Sequence, residues 1–374
     1  MEDIFEAPNV VVVKVGSSTL VDESGRPDRT FIGSLCDQAA DLQERGYHVV
    51  IVSSGAVAAG MERLGFDARP TDMPGRQACA AAGQAALTEV YAEQLARRGV
   101  PCGQVLLTRR DLTDREGYLN ARNTLGRMLE LGAVPVVNEN DTVSFTEINF
   151  GDNDMLGAIV AAMLNADLYV ILSDIDGLYT ANPAHDPTAR LVPRVEEVTP
   201  KISAMAGGAG SAVGTGGMAS KVRAARAMIA AGVPMVVCRG RERDSFRRVV
   251  EGERLGTRFE GPAGVQHESA RKLWIGLAEM PRGSVLLDAG ASRAILERGA
   301  SVLPVGVTSA EGRFSTGDVV NVVSAEGALI GRGITRYSSE DIGRVHGLRL
   351  DVIARFMPEK DGQPVIHRDE LLVF

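Results

Sequence analysis

Short, nearly unbroken runs of apolar and mostly β-branched residues alternate with longer alanine-rich stretches through the first two thirds of the chain. The runs are "NVVVVKVG" (9–16), "HVVIVSSG" (48–55), "CGQVLLT" (102–108), "AVPVVNEN" (133–140), "LYVILSD" (168–174) and "VPMVVC" (233–238). Between them the pattern predicts helices over 29–45, 57–64, 77–98, 115–131, 153–164 and 218–231. Strands this uniformly apolar are covered on both faces. The expected fold is therefore α/β, a doubly wound, mostly parallel sheet sandwiched by helices, with ligands at the carboxyl ends of the strands. Beyond about Gly261 the texture changes. "GPAGVQHESARKLW" reads as a linker, and the remainder of the chain has short strands, frequent glycine turns and one short helix. The expected organisation is an α/β unit over 1–262, a linker over 263–280, and a small, mostly β unit with a C-terminal tail over 281–374.

The length of 374 residues and 45% hydrophobic composition are enough for such a core and a second one. No run of 18 apolar residues occurs, and the N-terminus lacks a positive flank and cleavage site, so the expectation is a soluble cytoplasmic protein with no membrane association. Cys36, Cys79, Cys102 and Cys238 lie far apart without CxxC or histidine spacing. They read as reduced residues that line no metal site. The formal charge of -8 argues against a general nucleic-acid binder. From Arg271 onward the 13 basic and 13 acidic residues balance, a poor electrostatic footprint for RNA. Only five of the 40 basic residues are lysines, and two of these, Lys14 and Lys221, adjoin glycine-rich turns.

Four strand ends carry polar or glycine residues and are expected along one edge of the sheet. In "VVKVGSS", Lys14 interrupts an apolar strand; buried there, it needs either a bound anion or an acidic partner. In "IVSSGAVAAG", Ser53, Ser54 and Gly55 precede a helix, whose first amides could bind a carboxylate or phosphate, or could simply be capped by the serines. In "VVNENDTVSFTEINFGDNDMLGA", Asn138, Glu139, Asn140 and Asp141 close a strand, and Gly151, Asp152, Asn153 and Asp154 open a helix. The amides could hold an amino acid's ammonium and carboxylate, while an acid could bind the ammonium or orient lysines. In "VILSDIDGLYT", Ser173 and Asp174 end a strand before a turn over 177–180 suited to cover a nucleotide. "GTGGMASK" fails the Walker pattern, because Lys221 follows Ser220 and precedes Val222. What it offers is a glycine turn, Thr215, Gly216 and Gly217, that lets amides approach a polyphosphate at the start of a helix carrying Lys221.

In this order, "VVKVGSS", "IVSSGAVAAG", "LLTRRDLTDREGYLNARNTL", "PVVNENDTV", "FGDNDMLGA", "ILSDIDGLYT" and "GTGGMASK" closely resemble the glutamate 5-kinase family of the amino-acid kinase superfamily. "LDAGASRAILERGASVLPVGV" and "FSTGDVVNV" resemble the PUA domain found fused to it. The resemblance spans almost the whole chain. It implies that Lys14 and Lys221 flank the transferred phosphoryl group, with Asp154 orienting them. Ser54, Asp141 and Asn153 would bind glutamate, with Gly55, Ala56 and Asn138 lining the same pocket. Lys14, Ser173 and Asp174 would hold ATP, together with Thr215, Gly216, Gly217, Met218, Ala219, Ser220 and Lys221. It further implies ATP and Mg2+ as cofactors, the magnesium carried mainly by ATP, and glutamyl 5-phosphate as product, the first intermediate of proline synthesis. The same resemblance implies inhibition by proline, a homodimer or homotetramer, and hand-off of the product to a reductase, whereas RNA binding is not expected as the main function.

The chemistry suits these residues. A glutamate side chain is ionised at pH 7, so it attacks without a general base, and none of the five histidines lies in the motifs. The obstacle is repulsion between two anions, which lysines and magnesium relieve. Asp141 is the best-placed partner for an unsubstituted α-ammonium. Sibling kinases of acetylglutamate, aspartate, carbamate or UMP share the sheet and lysines; the acids of "NENDTV" and the β-rich tail favour free glutamate.

Overall fold

The computed structural model describes residues 9–22, 26–113, 115–143, 153–207, 217–262 and 281–373. The chain divides into two units, Met1–His267 and Glu268–Phe374. The expected linker over 263–280 lies outside the described residues.

The first unit runs β1 (Val10–Val15), α1 (Ser17–Leu20), α2 (Arg29–Glu44), β2 (His48–Val52), α3 (Ala56–Leu64), α4 (Met73–Ala96) and β3 (Cys102–Leu107). It continues with α5 (Arg109–Thr113), α6 (Arg115–Glu130), β4 (Val134–Glu139), α7 (Asn153–Met163), β5 (Leu168–Ser173), β6 (Arg194–Val195) and α8 (Pro200–Met205). It closes with α9 (Met218–Ala231), β7 (Met235–Arg239), α10 (Ser245–Val250) and β8 (Thr257–Phe259). The strands form one sheet in the order β3-β4-β2-β1-β5-β7-β8-β6. Pairing is parallel except between β7 and β8, where the sheet departs from an all-parallel pattern. The four strands whose ends carry the polar motifs, β4, β2, β1 and β5, are consecutive neighbours at the centre, so their ends fall together.

The valine-rich runs explain this placement. Every residue of β1, β4 and β5 is buried, as a strand covered by helices on both faces requires. Lys14 pairs in register with Val52 of β2 and Ile171 of β5, which puts an ammonium-bearing side chain in the middle of the sheet. Helix α7 is buried from Asp154 through Met163.

Two helix starts differ from the expected positions. Helix α4 begins at Met73, four residues early, because Asp72 accepts from the Gly75 N–H and Pro74 stands in the first turn, where a missing N–H is harmless. Helix α3 begins at Ala56, and neither serine caps it: the N-cap is Gly55, left-handed at φ 87°. Helices α3 and α4 cross closely. A Cβ on Gly83 would sit 1.8 Å from the Ala56 carbonyl oxygen, and one on Gly60 would sit 1.7 Å from that of Cys79.

The second unit has its own five-stranded sheet, order β10-β9-β11-β12-β13, built from β9 (Gly283–Leu287), β10 (Val307–Gly312), β11 (Val319–Val323), β12 (Leu329–Ile334) and β13 (Leu371–Val373). Val285, Val302, Val320, Tyr337, Ile342 and Ile366 fill a separate core. Besides the expected helix α11 (Ala289–Arg298), it contains α12 (Ser339–Val345) and α13 (Leu350–Ile353). Helix α12 starts with a capping box between Ser338 and Asp341. No described helix is long and apolar enough to cross a membrane, and all four cysteines are free thiols.

Candidate active site

Lys14, near the end of β1, Asp154, in the first turn of α7, and Lys221, in the first turn of α9, meet in the interior. Lys14 Nζ lies 2.6 Å from Asp154 Oδ1, and Lys221 Nζ lies 3.1 Å from Oδ2. The lysines are 5% and 4% exposed and the aspartate 0%. Ser220 Oγ also donates to Oδ2, and the Tyr169 hydroxyl donates to the Asp154 carbonyl at 2.8 Å. Burial pushes the Asp154 carboxyl up, but the two ammonium groups and the hydroxyl outweigh it and hold the pKa below its ordinary value. Among these three side chains, two cations face one anion. Burying three charged groups costs several kcal/mol per ion unless they are paired, and the shared carboxylate provides that pairing. Of the two alternatives for a buried Lys14, the acidic partner is present in Asp154.

The helix ends around this cluster are left open by glycine. Gly16, Gly55 and Gly217 are the N-caps of α1, α3 and α9, and none has a side chain with which to cap. At α3 and α9 the cap residue therefore does not compete for the first amides, and the helix dipole favours a negative ligand there. Thr215 and Gly216, like Gly151 and Asp152, lie outside the described residues.

Beside the cluster, a cavity of about 160 Å³ is lined by Ser17, Ser54, Gly55, Ala56, Asn138, Glu139, Asp141 and Asn153, with Val57, Ala58, Met61 and Arg69. All six residues expected around the amino acid line it together. Ser54 accepts from Asn153 Nδ2 at 2.9 Å, and of the two alternatives for this turn, capping by the serines is not seen. Burial raises the Asp141 carboxyl, and Arg69 partly offsets this. Arg69 was not singled out by the sequence because it sits in the aperiodic connection between α3 and α4, where an arginine reads as a solvated charge. The cavity thus presents a guanidinium, two carboxylates and the side-chain amides of Asn138 and Asn153, groups able to pair with an ammonium and with a carboxylate.

A second cavity, about 410 Å³, is formed by the segment after β5 (175–179, 181–184), by Met205, Ala206 and Gly207 at the end of α8, by Met218 at the start of α9, and by Arg239. Its Arg239 guanidinium pairs with Asp176, which also accepts from the Tyr179 hydroxyl at 2.8 Å. These bonds hold the Asp176 carboxyl below its ordinary range. Ser173, buried at the end of β5, donates to Asp174 at 3.0 Å; neither lines this cavity. Among the described residues no group of three His, Cys, Asp or Glu side chains is arranged to hold a metal ion.

Residues 9–239 match the model of the Amino acid kinase family, and residues 283–357 match the PUA domain. Proteins named Glutamate 5-kinase resemble the chain from end to end. That of Syntrophotalea carbinolica is 45% identical over 372 residues, covering 100% of this chain and 99% of its own. That of Carboxydothermus hydrogenoformans is 44% identical over 374 residues, covering 100% of both. That of Caulobacter vibrioides is 47% identical over 372 residues, covering 99% of this chain and 97% of its own. Among solved structures, a UMP kinase from Bacillus anthracis aligns at 17% identity and a TM-score of 0.47, over 68% of this chain and 97% of that one. With a family match over 9–239 and full-length relatives at this identity, the chain belongs to the amino acid kinase family and, within it, to the glutamate 5-kinases.

Proposed function

We propose that this protein transfers the γ-phosphoryl group of ATP to the side-chain carboxylate of L-glutamate, making L-glutamyl 5-phosphate for proline biosynthesis. The observation that carries the reading is the buried cluster in which Lys14 and Lys221 share the Asp154 carboxylate, together with a cavity lined by Asn138, Asp141, Asn153 and Arg69. Full-length likeness to proteins named Glutamate 5-kinase supports the choice of acceptor.

The acceptor carboxylate, with an ordinary pKa of about 4.3, arrives ionised and needs no base. One of its oxygens bonds to the γ-phosphorus as the bond to the β–γ bridging oxygen breaks, and ADP leaves with that electron pair. Two anions must approach each other, so the protein's task is to neutralise and align. Lys14 and Lys221 supply the charge to the transferring group, Lys221 on the ATP side. Asp154 fixes both ammonium groups by ion pairs and itself takes no proton.

In the acceptor cavity Asp141 takes the α-ammonium and Arg69 a carboxylate. Ser54, Asn138 and Asn153 supply polar contacts, and the open amides at Gly55 and Ala56 face a negative group. The phosphates lie along the N-terminus of α9, over Gly217, Met218, Ala219 and Ser220, with Thr215 and Gly216 completing the loop. Ser173 and Asp174 border the phosphates, and the 410 Å³ cavity takes the nucleoside. Mg2+ would enter this site as the counter-ion of ATP and would neutralise phosphate charge. The family resemblance adds proline as a feedback inhibitor, a homodimer or homotetramer, a cytoplasmic setting and hand-off to glutamyl phosphate reductase.

Steady-state kinetics of Lys14→Met and Lys221→Met test the reading, since methionine keeps the reach and loses the charge. Each is expected to lower kcat by about 10²–10³-fold with modest change in either KM. A large rise in KM at unchanged kcat would refute the catalytic role.

A further inference from the structure

Behind the acceptor cavity, three side-chain amides form a chain whose polarity is fixed by backbone groups. Asn153 Nδ2 lies 2.7 Å from the Ser53 carbonyl, which can only accept, so the nitrogen and not the oxygen faces it. The same nitrogen reaches Ser54 Oγ and Asn138 Oδ1, each at 2.9 Å. The Glu139 N–H, which can only donate, points at Asn138 Oδ1 from 2.9 Å. This orients the second amide with its oxygen toward Asn153 and its nitrogen away. Asn138 is 2% exposed, so Nδ2 needs a protein acceptor, and Gln84 Oε1 provides one at 2.7 Å. Gln84 Nε2 turns to Thr88 Oγ1 at 3.4 Å, whose hydroxyl is directed to the Gln84 carbonyl at 2.8 Å and can still accept.

With its nitrogen engaged three ways, Asn153 has Oδ1 left for a donor, and among the described residues none supplies one. Asn153 lines the cavity, whereas Gln84 sits on α4, which contributes nothing to its lining. We propose that Gln84 is a positioning residue for the acceptor. Through Asn138 it holds the Asn153 amide with its oxygen toward the cavity, where it accepts from the α-ammonium. The inference rests on the glutamate kinase reading above. If the Gln84 acceptor is removed, Asn138 must leave a buried NH2 unpaired or flip. Flipping sets that NH2 against the Glu139 N–H and Asn153 Nδ2, donor against donor. A flip takes away one of the three acceptors of Asn153 Nδ2, and an unpaired Asn138 amide holds its own oxygen less firmly, so in both cases the Asn153 amide is less well fixed.

The test uses the full-length enzyme in an acyl-phosphate assay with hydroxylamine trapping, varying glutamate and ATP separately. Glutamate-dependent product from the unaltered protein must come first; its absence would overturn the glutamate reading itself, independently of Gln84. Gln84→Met is then expected to raise the KM for glutamate about tenfold while that for ATP stays within about twofold. Because Gln84 acts through Asn138, adding Gln84→Met to Asn138→Ala should change nothing further. Equal rises in both KM values, or effects that multiply in the double variant, would overturn the proposal. Gln84→Glu serves if the methionine variant fails to fold. Its carboxylate keeps an acceptor for Asn138, and the Thr88 hydroxyl can turn to donate to it, so the KM for glutamate should stay within about threefold. A tenfold rise there would also overturn it.

Discussion

Asp141 faces two opposing demands: its proposed role needs a negative charge, while burial pushes its carboxyl up and only Arg69 pulls it down. If it binds the α-ammonium, protonation weakens glutamate binding, so the KM for glutamate should rise on the acid side. The rise should begin above the ordinary carboxylate range of about 4. Arg69→Ala removes the lowering influence and should move that acid limb to higher pH. Asp141→Asn should abolish the limb and raise the KM for glutamate far more than that for ATP. Equal increases for both substrates would count against the assignment. Asp154 has the opposite sign. Its folded pKa lies below the unfolded value of about 3.9, so its contribution to stability is present above that pH and is lost as pH falls toward the folded value. Asp154→Asn removes the carboxylate that the two buried ammonium groups share. It should cost about 3–5 kcal/mol near neutral pH, read from denaturant unfolding, and should flatten the loss of stability below about pH 4. A stability unchanged at neutral pH would show that the cluster is not held together as described.

At the scale of elements, the acceptor cavity depends on where α3 begins, and the crossing with α4 fixes that. Gly83 meets the Ala56 carbonyl, in the first turn of α3, so a methyl group there must push the helices apart. Gly83→Ala should destabilise the protein by about 1–3 kcal/mol, seen as a lower melting temperature, and raise the KM for glutamate by displacing Gly55 and Ala56. An unchanged melting temperature would mean that the crossing yields at no cost. Strands β1 to β5 and β7 were legible because apolar runs this dense have few alternatives, and α9 because its glycine turn and apolar period are strong local signals; the two- and three-residue strands β6 and β8 were not, being too short to show a pattern. The start of α4 was less legible, since alanine-rich sequence is helical almost anywhere and the deciding Asp72 cap is one residue. The Lys14, Asp154 and Lys221 cluster was anticipated from strand ends and family motifs. Arg69 and Gln84 were not: one lies in a polar connection, and the other reads as an ordinary helix position until Asn138 is seen to need an acceptor.

At the scale of the whole molecule, the chain carries two separate cores and a net charge of -8. The charge surplus lies before Arg271, in the unit whose acceptor, donor and product are all proposed to be anions. A negatively charged protein gains little from long-range attraction of such ligands, so their binding rests on the local positive charge at Lys14, Lys221, Arg69 and the helix N-termini. The most direct test is acyl-phosphate formation from ATP with a panel of acceptors: glutamate, N-acetylglutamate and aspartate, trapped with hydroxylamine, with UMP and carbamate followed by ADP release. Turnover is expected with free glutamate and little with the others. Turnover with N-acetylglutamate, which has no ammonium for Asp141, at a rate matching or exceeding that with glutamate would contradict the proposed recognition of the acceptor.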